Sequence, residues 1–153
     1  MITKGYATKV HDEYLSRNDG KVWYILHHGV YHPKKHKIHV VFDCGTSYQR
    51  ATLNEQLLQG ADLTSTLIGV ITRFRQEPVA TMADVEAMFH QVKVPPEDAD
   101  LLRFLCWPDG DINKDLVEYR MVVHLFGATS SPSCGSYALR RCAEDNRDLF
   151  AMQ

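Results

Sequence analysis

One carboxylate, Asp84, has a position in the sequence that suits chemistry. A short apolar run over residues 78–83 leads into it, and the aromatic Phe89 follows five residues later. A carboxylate at the end of a buried strand is held rigidly at the edge of a cleft, where it can bind a metal ion or transfer a proton. The spacing alone favours a simpler role, in which Asp84 caps the next turn.

A basic segment, residues 27–37, separates two predicted strands at 22–26 and 38–43. Gly29 and Pro33 exclude a helix there, so we expect a long hairpin with a basic tip. The lysines of this tip are Lys34, Lys35 and Lys37. They can reach the phosphates of a nucleotide or a nucleic acid, and the alternative is a solvated hairpin end.

Histidines and cysteines are further candidate metal ligands. Five histidines lie between positions 27 and 39, but their spacing fits no standard zinc finger and no cysteine stands among them. A histidine-rich metal-binding protein is therefore a minor alternative. The four cysteines are scattered without CxxC spacing, which indicates free thiols in a reducing, intracellular compartment. The sequence does not choose between cytoplasm and nucleus.

The composition is that of a folded globular protein with unevenly distributed charge. The chain has 153 residues, of which 44% are hydrophobic and 24% charged, which suits one domain or part of a larger one. Its net charge of −2 excludes a histone-like polyelectrolyte. Residues 1–40 nevertheless hold seven Lys or Arg against three acids, a local +4, so the remainder carries −6. The basic end suits a phosphate-bearing partner, and neither a membrane span nor a secretory signal is predicted.

The elements that must position these groups follow no regular βαβ repeat. Residues 44–60 are predicted to be irregular, and Asp62 is the expected N-cap of a helix that runs to Arg75 with one apolar face. A strand into Asp84 follows, and a short helix begins near Pro95. Mixed strands and helices in this order predict an α+β fold.

The second half of the chain contains the clearest strand pattern. Residues 103–107 are predicted to form a strand and residues 108–111 a turn. Apolar and polar side chains then alternate over residues 117–125, so we expect an antiparallel ribbon. Ser131 as N-cap and Pro132 at the first helical position begin the last helix.

Three blocks stand in a fixed order, at residues 40–54, 82–92 and 124–132. They resemble the fingers and palm of a reverse transcriptase, and more narrowly the Pao/BEL family of long-terminal-repeat retrotransposons. Further short sequence motifs of that family occur at residues 23–24, 27–35, 57–60, 73–78, 107–111 and 138–141. The resemblance therefore covers nearly the whole chain.

The resemblance implies a right-hand polymerase fold, with fingers and an incomplete palm sheet. The fingers would take about residues 1–60 and 92–130, and the palm about residues 61–91 and 131–153. The implied activity is RNA-directed DNA polymerisation. The implied partners are an RNA/DNA primer–template, a deoxynucleoside triphosphate and the rest of a retrotransposon polyprotein.

The resemblance also implies residue roles in the second block. Nucleotide addition is an in-line attack of a primer 3′-hydroxyl on an α-phosphate, with two Mg²⁺ ions held by carboxylate and phosphate oxygens. Asp84 corresponds to the first catalytic aspartate, and the backbone carbonyl of Val85 would add a metal ligand. Phe89 stands where the family places the steric gate against a 2′-hydroxyl; without the neighbouring motif it would be read as a core aromatic.

The third block corresponds to the segment that packs beside the incoming base and the template. Gly127 allows close approach of backbone to a ligand, and Ser131 with Pro132 would contact the template. Phe126 replaces the Gln of retroviral relatives, which exchanges a hydrogen bond for stacking or packing. The simpler alternative is a helix-capping turn.

Two departures from the family limit the expected activity. His39 stands where the family usually has an Arg that grips the triphosphate, and imidazole is shorter and mostly neutral at pH 7, so we expect weakened nucleotide binding. The Tyr-x-Asp-Asp motif is absent from this sequence. The expectation is a fragment truncated before that motif and inactive by itself.

Two other interpretations stay open at this point. A non-catalytic nucleic-acid-binding or interaction module could use the basic fingers hairpin alone. A pseudogene fragment would have no function of its own.

Overall fold

The fold is α+β, as the sequence predicts, with two small antiparallel sheets. The structure is a computed structural model that describes residues 1–34 and 36–150. Its strands are β1 (Ala7–Lys9), β2 (Leu26–His32), β3 (Lys37–Asp43), β4 (Arg103–Cys106) and β5 (Val117–Met121). Its α-helices are α1 (Asp12–Leu15), α2 (Leu53–Gln56), α3 (Leu67–Phe74), α4 (Ser131–Asp145) and α5 (Arg147–Phe150). Short 3₁₀ turns occupy Ile2–Lys4, Met88–Gln91, Ala99–Leu102 and Pro108–Gly110.

The larger sheet is centred on β5, whose alternating side chains suit a strand with one buried face. It pairs antiparallel with β1 and β4, in the order β1-β5-β4, and the register places Arg103 opposite Arg120. The predicted antiparallel ribbon of residues 103–107 and 117–125 is thereby confirmed over Arg103–Cys106 and Val117–Met121, and the second strand ends four residues earlier than predicted. The alternation continues past the end of β5, where Leu125 is fully buried.

The smaller sheet is the predicted basic hairpin. β2 and β3 pair antiparallel from Leu26 opposite Asp43 to His32 opposite Lys37. The first strand begins later than expected, because residues 22–25 hydrogen-bond elsewhere. The amide of Ile25 donates to the carbonyl of Arg103 at 2.8 Å, so this segment follows the edge of β4 before the hairpin starts.

The hydrophobic core joins the hairpin to the larger sheet. Phe42 of β3 meets Phe104 of β4 nearly edge to face, with ring centroids 5.2 Å apart. Such aromatic pairs stabilise a core beyond the area that they bury. Further buried members of this cluster are Ala7, Ile25, Cys44, Leu53, Leu102, Met121, Val123, Leu125 and Ala128.

The helices differ from the prediction at their starts. α3 begins four residues late, because Thr66 provides the cap and accepts from the amide of Gly69 at 3.2 Å, whereas Asp62 bonds locally to Thr64. α4 begins at Ser131 with Ser130 as N-cap. The predicted N-cap at Ser131 is therefore wrong by one position.

The predicted strand into Asp84 is wrong. Residues 79–85 form neither strand nor helix, and the side chains of Val79 and Met82 are 78% and 88% exposed. A strand is stabilised by pairing with neighbours, and no described strand lies beside this segment. The apolar run before Asp84 therefore does not form the rigid, buried strand that was expected to hold the Asp84 carboxylate in place.

A buried ion cluster ties the amino-terminal segment to the larger sheet. The Asp100 carboxylate, only 1% exposed, accepts from Arg17 at 2.7 Å, from Arg103 at 3.1 Å and from Arg120 at 3.0 Å. Arg103, fully buried, also donates to Glu118 at 3.1 Å. Burial alone would raise the pKa of Asp100, but the hydrogen bonds from Arg103, Arg17 and Arg120 outweigh it and lower that pKa.

None of the helices that the structure describes is long and apolar enough to cross a membrane.

Candidate functional site

The phenyl rings of Phe89 and Phe126 lie against each other, with centroids 4.6 Å apart and planes tilted by 50°. Phe89 belongs to the 3₁₀ turn Met88–Gln91, which a left-handed Ala87 (φ 50°) introduces. The ring of His90 meets Phe126 edge-on at 5.4 Å, and its Nδ1 donates to the carbonyl of His124 at 2.8 Å. These contacts fix the second block of the sequence against the third.

Gly127 brings the third block against the first. Its φ of 104° is a conformation that favours glycine, and a Cβ there would lie 2.8 Å from the carbonyl oxygen of Phe42. No larger residue fits this approach without displacing the end of β3. The turn after Phe126 therefore packs directly against the base of the hairpin.

Asn54 holds the Gly127 turn with both ends of its amide. Its Nδ2 donates to the carbonyl of Gly127 at 3.0 Å, and its Oδ1 accepts from the amide of Thr129 at 2.9 Å. The helix that carries Asn54 has a capping box between Thr52 and Glu55. The sequence contains this capping signal, but nothing in it identifies the distant partners of Asn54, and its positioning role was not predicted.

Helix α4 supports the same surface from behind. Gly135 is buried, and a Cβ there would come within 3.0 Å of Phe89 and 3.2 Å of Met88. At the start of the helix, the buried hydroxyl of Ser131 lies 3.4 Å from Nδ1 of His124, whose pKa burial lowers. Pro132 is exposed. Of this predicted pair, only Pro132 is available to touch a template.

Asp84 and Val85 lie on the exposed coil that precedes the Met88–Gln91 turn. Their neighbour Glu86 pairs with Lys4 across 3.7 Å. Asp84 and Val85 would provide one carboxylate and one carbonyl ligand, and Mg²⁺ fills the rest of its octahedron with water, substrate phosphate or a further carboxylate. Among the described residues, no group of three or more His, Cys, Asp or Glu side chains could hold a metal ion.

The predicted phosphate-binding residues lie along the hairpin arm. Lys34, Lys37 and His39 are all exposed, and Lys35 lies outside the described residues. Lys37 is six residues from Asp43 along β3, so it stands about 20 Å from the base of the hairpin at the usual strand rise. His39 is about 10 Å from Phe42 by the same measure. Phe89, Phe126 and Gly127 therefore lie together in one surface. The predicted phosphate-binding side chains lie on the β2–β3 hairpin, whose base contacts that surface.

An open apolar cavity of about 890 Å³ adjoins the surface, along α4. It is lined by Leu63, Val92, His124, Tyr137 and Cys142 among others. Helix α3 likewise exposes its apolar side chains, with Leu67 at 73% and Ile68 at 79%. The predicted apolar face of α3 is thus open to solvent in the described part of the chain, where Val70, Ile71 and Phe74 are 43–48% exposed.

A scan of protein-family models finds none that matches this chain, and a search of curated proteins finds no significant match. The functional conclusion therefore depends on the residues and their arrangement.

Proposed function

We propose that this chain is the fingers and amino-terminal palm of a reverse transcriptase, of the Pao/BEL retrotransposon type that its sequence resembles. Its role would be to bind an RNA/DNA primer–template and a deoxynucleoside triphosphate. The right-hand polymerase fold, with fingers at about residues 1–60 and 92–130 and palm at about 61–91 and 131–153, is part of the same proposal.

The observation that carries the proposal is the convergence of the three sequence blocks. The first block contributes the carbonyl of Phe42 and the amide of Asn54, the second contributes Phe89, and the third contributes Phe126 and Gly127. The first and third blocks also share the hydrophobic core through Phe42, Leu53, Leu125 and Ala128. A shared binding surface would add a functional reason for the contact of the second block with the third through Phe89 and Phe126.

The chemistry of this surface suits a nucleotide and a template strand. Phe126 is 54% exposed, so its ring is accessible to a base or a sugar, on which aromatic side chains stack well. The Gly127 turn presents backbone without a side chain, which permits close approach. Lys34 and Lys37 on the adjacent arm supply positive charge for phosphates.

Catalysis requires more than these residues. In the family that the sequence resembles, two Mg²⁺ ions assist nucleotidyl transfer to the primer 3′-hydroxyl, and we propose the same ion for the complete site. Asp84 would contribute one carboxylate to it and Val85 a carbonyl. Because further carboxylates are needed, the 153 residues alone would bind nucleic acid without extending a primer.

Fluorescence anisotropy of a labelled RNA/DNA primer–template tests the proposal. We expect salt-dependent binding, weakened roughly tenfold or more in the double variant Lys34→Glu, Lys37→Glu, with a salt slope lower by about two. The matched control is Lys9→Glu, Lys114→Glu, which makes the same charge change elsewhere. Binding that is absent, or equally weakened in both variants, would contradict the proposal.

The second candidate is a binding module that uses the hairpin alone, favoured by the exposed lysines at its tip and the incomplete metal site. Phe126→Ala separates the two candidates. A fingers-and-palm fragment should lose affinity for the primer–template by roughly fivefold or more, because a stacked base is worth about 1–3 kcal/mol. A hairpin module would be unaffected by this change.

A further inference from the structure

The two faces of the β2–β3 hairpin differ in chemistry. Residues directly opposite in an antiparallel pair share a face, and successive residues alternate between faces. The register therefore places His27, Gly29, Tyr31, Ile38, Val40 and Phe42 on an inner face that continues into the core. The outer face consists of Leu26, His28, Val30, His32, Lys37, His39, Val41 and Asp43.

Three of the hairpin histidines thus stand together on the outer face. His39 is opposite Val30, which puts it diagonally between His28 and His32. The rings of His32 and His39 have centroids 5.9 Å apart, and Nδ1 of His32 is buried without a hydrogen-bond partner among the described residues. Lys37 is directly opposite His32. The face therefore carries one permanent positive charge and three that depend on protonation.

We propose that this histidine face binds polyanions in a proton-dependent way, so that the affinity of the hairpin for phosphate-bearing ligands rises as the pH falls from 8 to 5. The inference deepens the proposed function, because the hairpin is the arm that would contact nucleic acid. It concerns that arm only, and holds for any polyanion long enough to cover the face.

The physical reason is mutual repulsion that a ligand relieves. His28, His32 and His39 share one face with the Lys37 ammonium, and positive charges brought onto one face repel one another. A row of phosphates along the face favours the charged imidazoles, so binding takes up protons and the affinity depends on pH by linkage. Imidazole is the side chain that ordinarily titrates in this range.

The neighbouring charged groups do not remove the effect. Asp43, at the base of the face, stays ionised, because the Thr46 hydroxyl, the Gly45 amide and more weakly His28 lower its pKa. The turn that follows Asp43 contains two further ionisable side chains, Tyr48 and Arg50. His27 is on the inner face, where burial and then the charge of His28 lower its pKa.

The test measures binding at constant ionic strength, in EDTA, at about pH 7.5 and about pH 5.5. Two probes are used: a labelled RNA/DNA primer–template and a linear polyphosphate. We expect the affinity for both to rise about tenfold between the two conditions, which corresponds to uptake of about half a proton per complex. Circular dichroism at both pH values checks that the fold is retained.

Two triple variants at His28, His32 and His39 decide the outcome, each made and compared in a His36→Gln background, because His36 is a further exposed imidazole at the hairpin tip, 2.9 Å from the Tyr31 hydroxyl. The change of all three to Gln should give weak, pH-independent binding, and the change of all three to Lys should give tight, pH-independent binding. His11→Gln, outside the hairpin, is the control and should behave as the wild type. A pH dependence that survives in the Gln triple variant, or that is absent from the wild type, overturns the inference.

The two probes separate this inference from the proposed function. Primer–template binding that is independent of pH overturns the proton dependence and leaves the reverse-transcriptase proposal standing. Polyphosphate binding with the expected pH dependence, without binding of the primer–template, supports the inference and contradicts the proposed function.

Discussion

Asn54 and Gly127 are joined by a 3.0 Å hydrogen bond from the Asn54 amide to the Gly127 carbonyl. The second bond of the same amide, from Thr129, fixes the other side of the turn. Asn54 is thereby a positioning residue for the turn that carries Phe126, although it needs no contact with a ligand itself.

Replacement of Asn54 by Ala should loosen the Gly127 turn. We expect a loss of about 1–3 kcal/mol in the free energy of unfolding, because two hydrogen bonds are removed. Primer–template affinity should fall further than the loss of folded protein explains. Chemical denaturation and anisotropy measure the two effects. Asn113→Ala, whose bonds are local to an exposed loop, should change neither, and unchanged binding in the Asn54 variant would refute the positioning role.

Gly127→Ala should be strongly destabilising, by about 2–5 kcal/mol, since the new methyl group adds overpacking to a strained backbone. Its Cβ would lie 2.8 Å from the Phe42 carbonyl. Gly110→Ala is the matched control, because Gly110 also has a positive φ of 74° but nothing within 4 Å of its ideal Cβ. The control should lose only about 1–2 kcal/mol. Equal losses would show that the close approach to β3 has no energetic consequence.

Asp100→Asn should destabilise the fold by about 3–5 kcal/mol, because it removes the one buried counter-charge that Arg17, Arg103 and Arg120 share. The exposed Asp98→Asn, two positions away, serves as control and should stay within about 0.5 kcal/mol of the wild type. Urea denaturation at neutral pH compares the two. A loss in the Asp100 variant as small as in the control would mean that the cluster is not essential.

The same carboxylate predicts how stability depends on pH. A pKa lowered in the folded state gives stability that is fully present above the unfolded value, about 3.9, and is lost as the pH falls towards the folded value. The free energy of unfolding should therefore decline below about pH 4. In Asp100→Asn this decline should be shallower. An equally steep decline would assign it to other carboxylates.

Primer extension should be undetectable with these 153 residues in Mg²⁺. Asp84 is exposed on a coil, and among the described residues no group of three or more His, Cys, Asp or Glu side chains could hold a metal ion, whereas two-metal nucleotidyl transfer needs several ligand oxygens. A complete reverse transcriptase on the same homopolymer template is the positive control. Mg²⁺-dependent extension that Asp84→Asn abolishes would contradict this expectation.

Local sequence patterns predicted the strands that pair with a neighbour in the sequence or that show a clear alternation of apolar and polar residues. The hairpin followed from Gly29 and Pro33, and the ribbon of β4 and β5 from the alternation over residues 117–125. The prediction of a strand before Asp84 was wrong, because an apolar run forms a strand only where another strand pairs with it. Asp62 and Thr66 are both residue types that favour the N-cap position, so the sequence alone does not show that α3 is capped by Thr66.

The site was predictable only in part. The family resemblance singled out Phe89, Phe126 and Gly127, and these residues do lie together. It could not identify Asn54 or Gly135, whose importance comes from contacts with residues far away in the sequence. The shared outer face of His28, His32 and His39 likewise depends on strand register, which the histidine count does not reveal.

Hydrogen–deuterium exchange with and without a bound RNA/DNA primer–template tests the central claim most directly. A fingers-and-palm fragment should gain protection in the hairpin and also in the separate segments around Phe89 and Gly127, because all of them border one surface. Protection confined to residues 26–43 would assign the binding to the hairpin alone, and protection in none of these segments would contradict the proposed function itself.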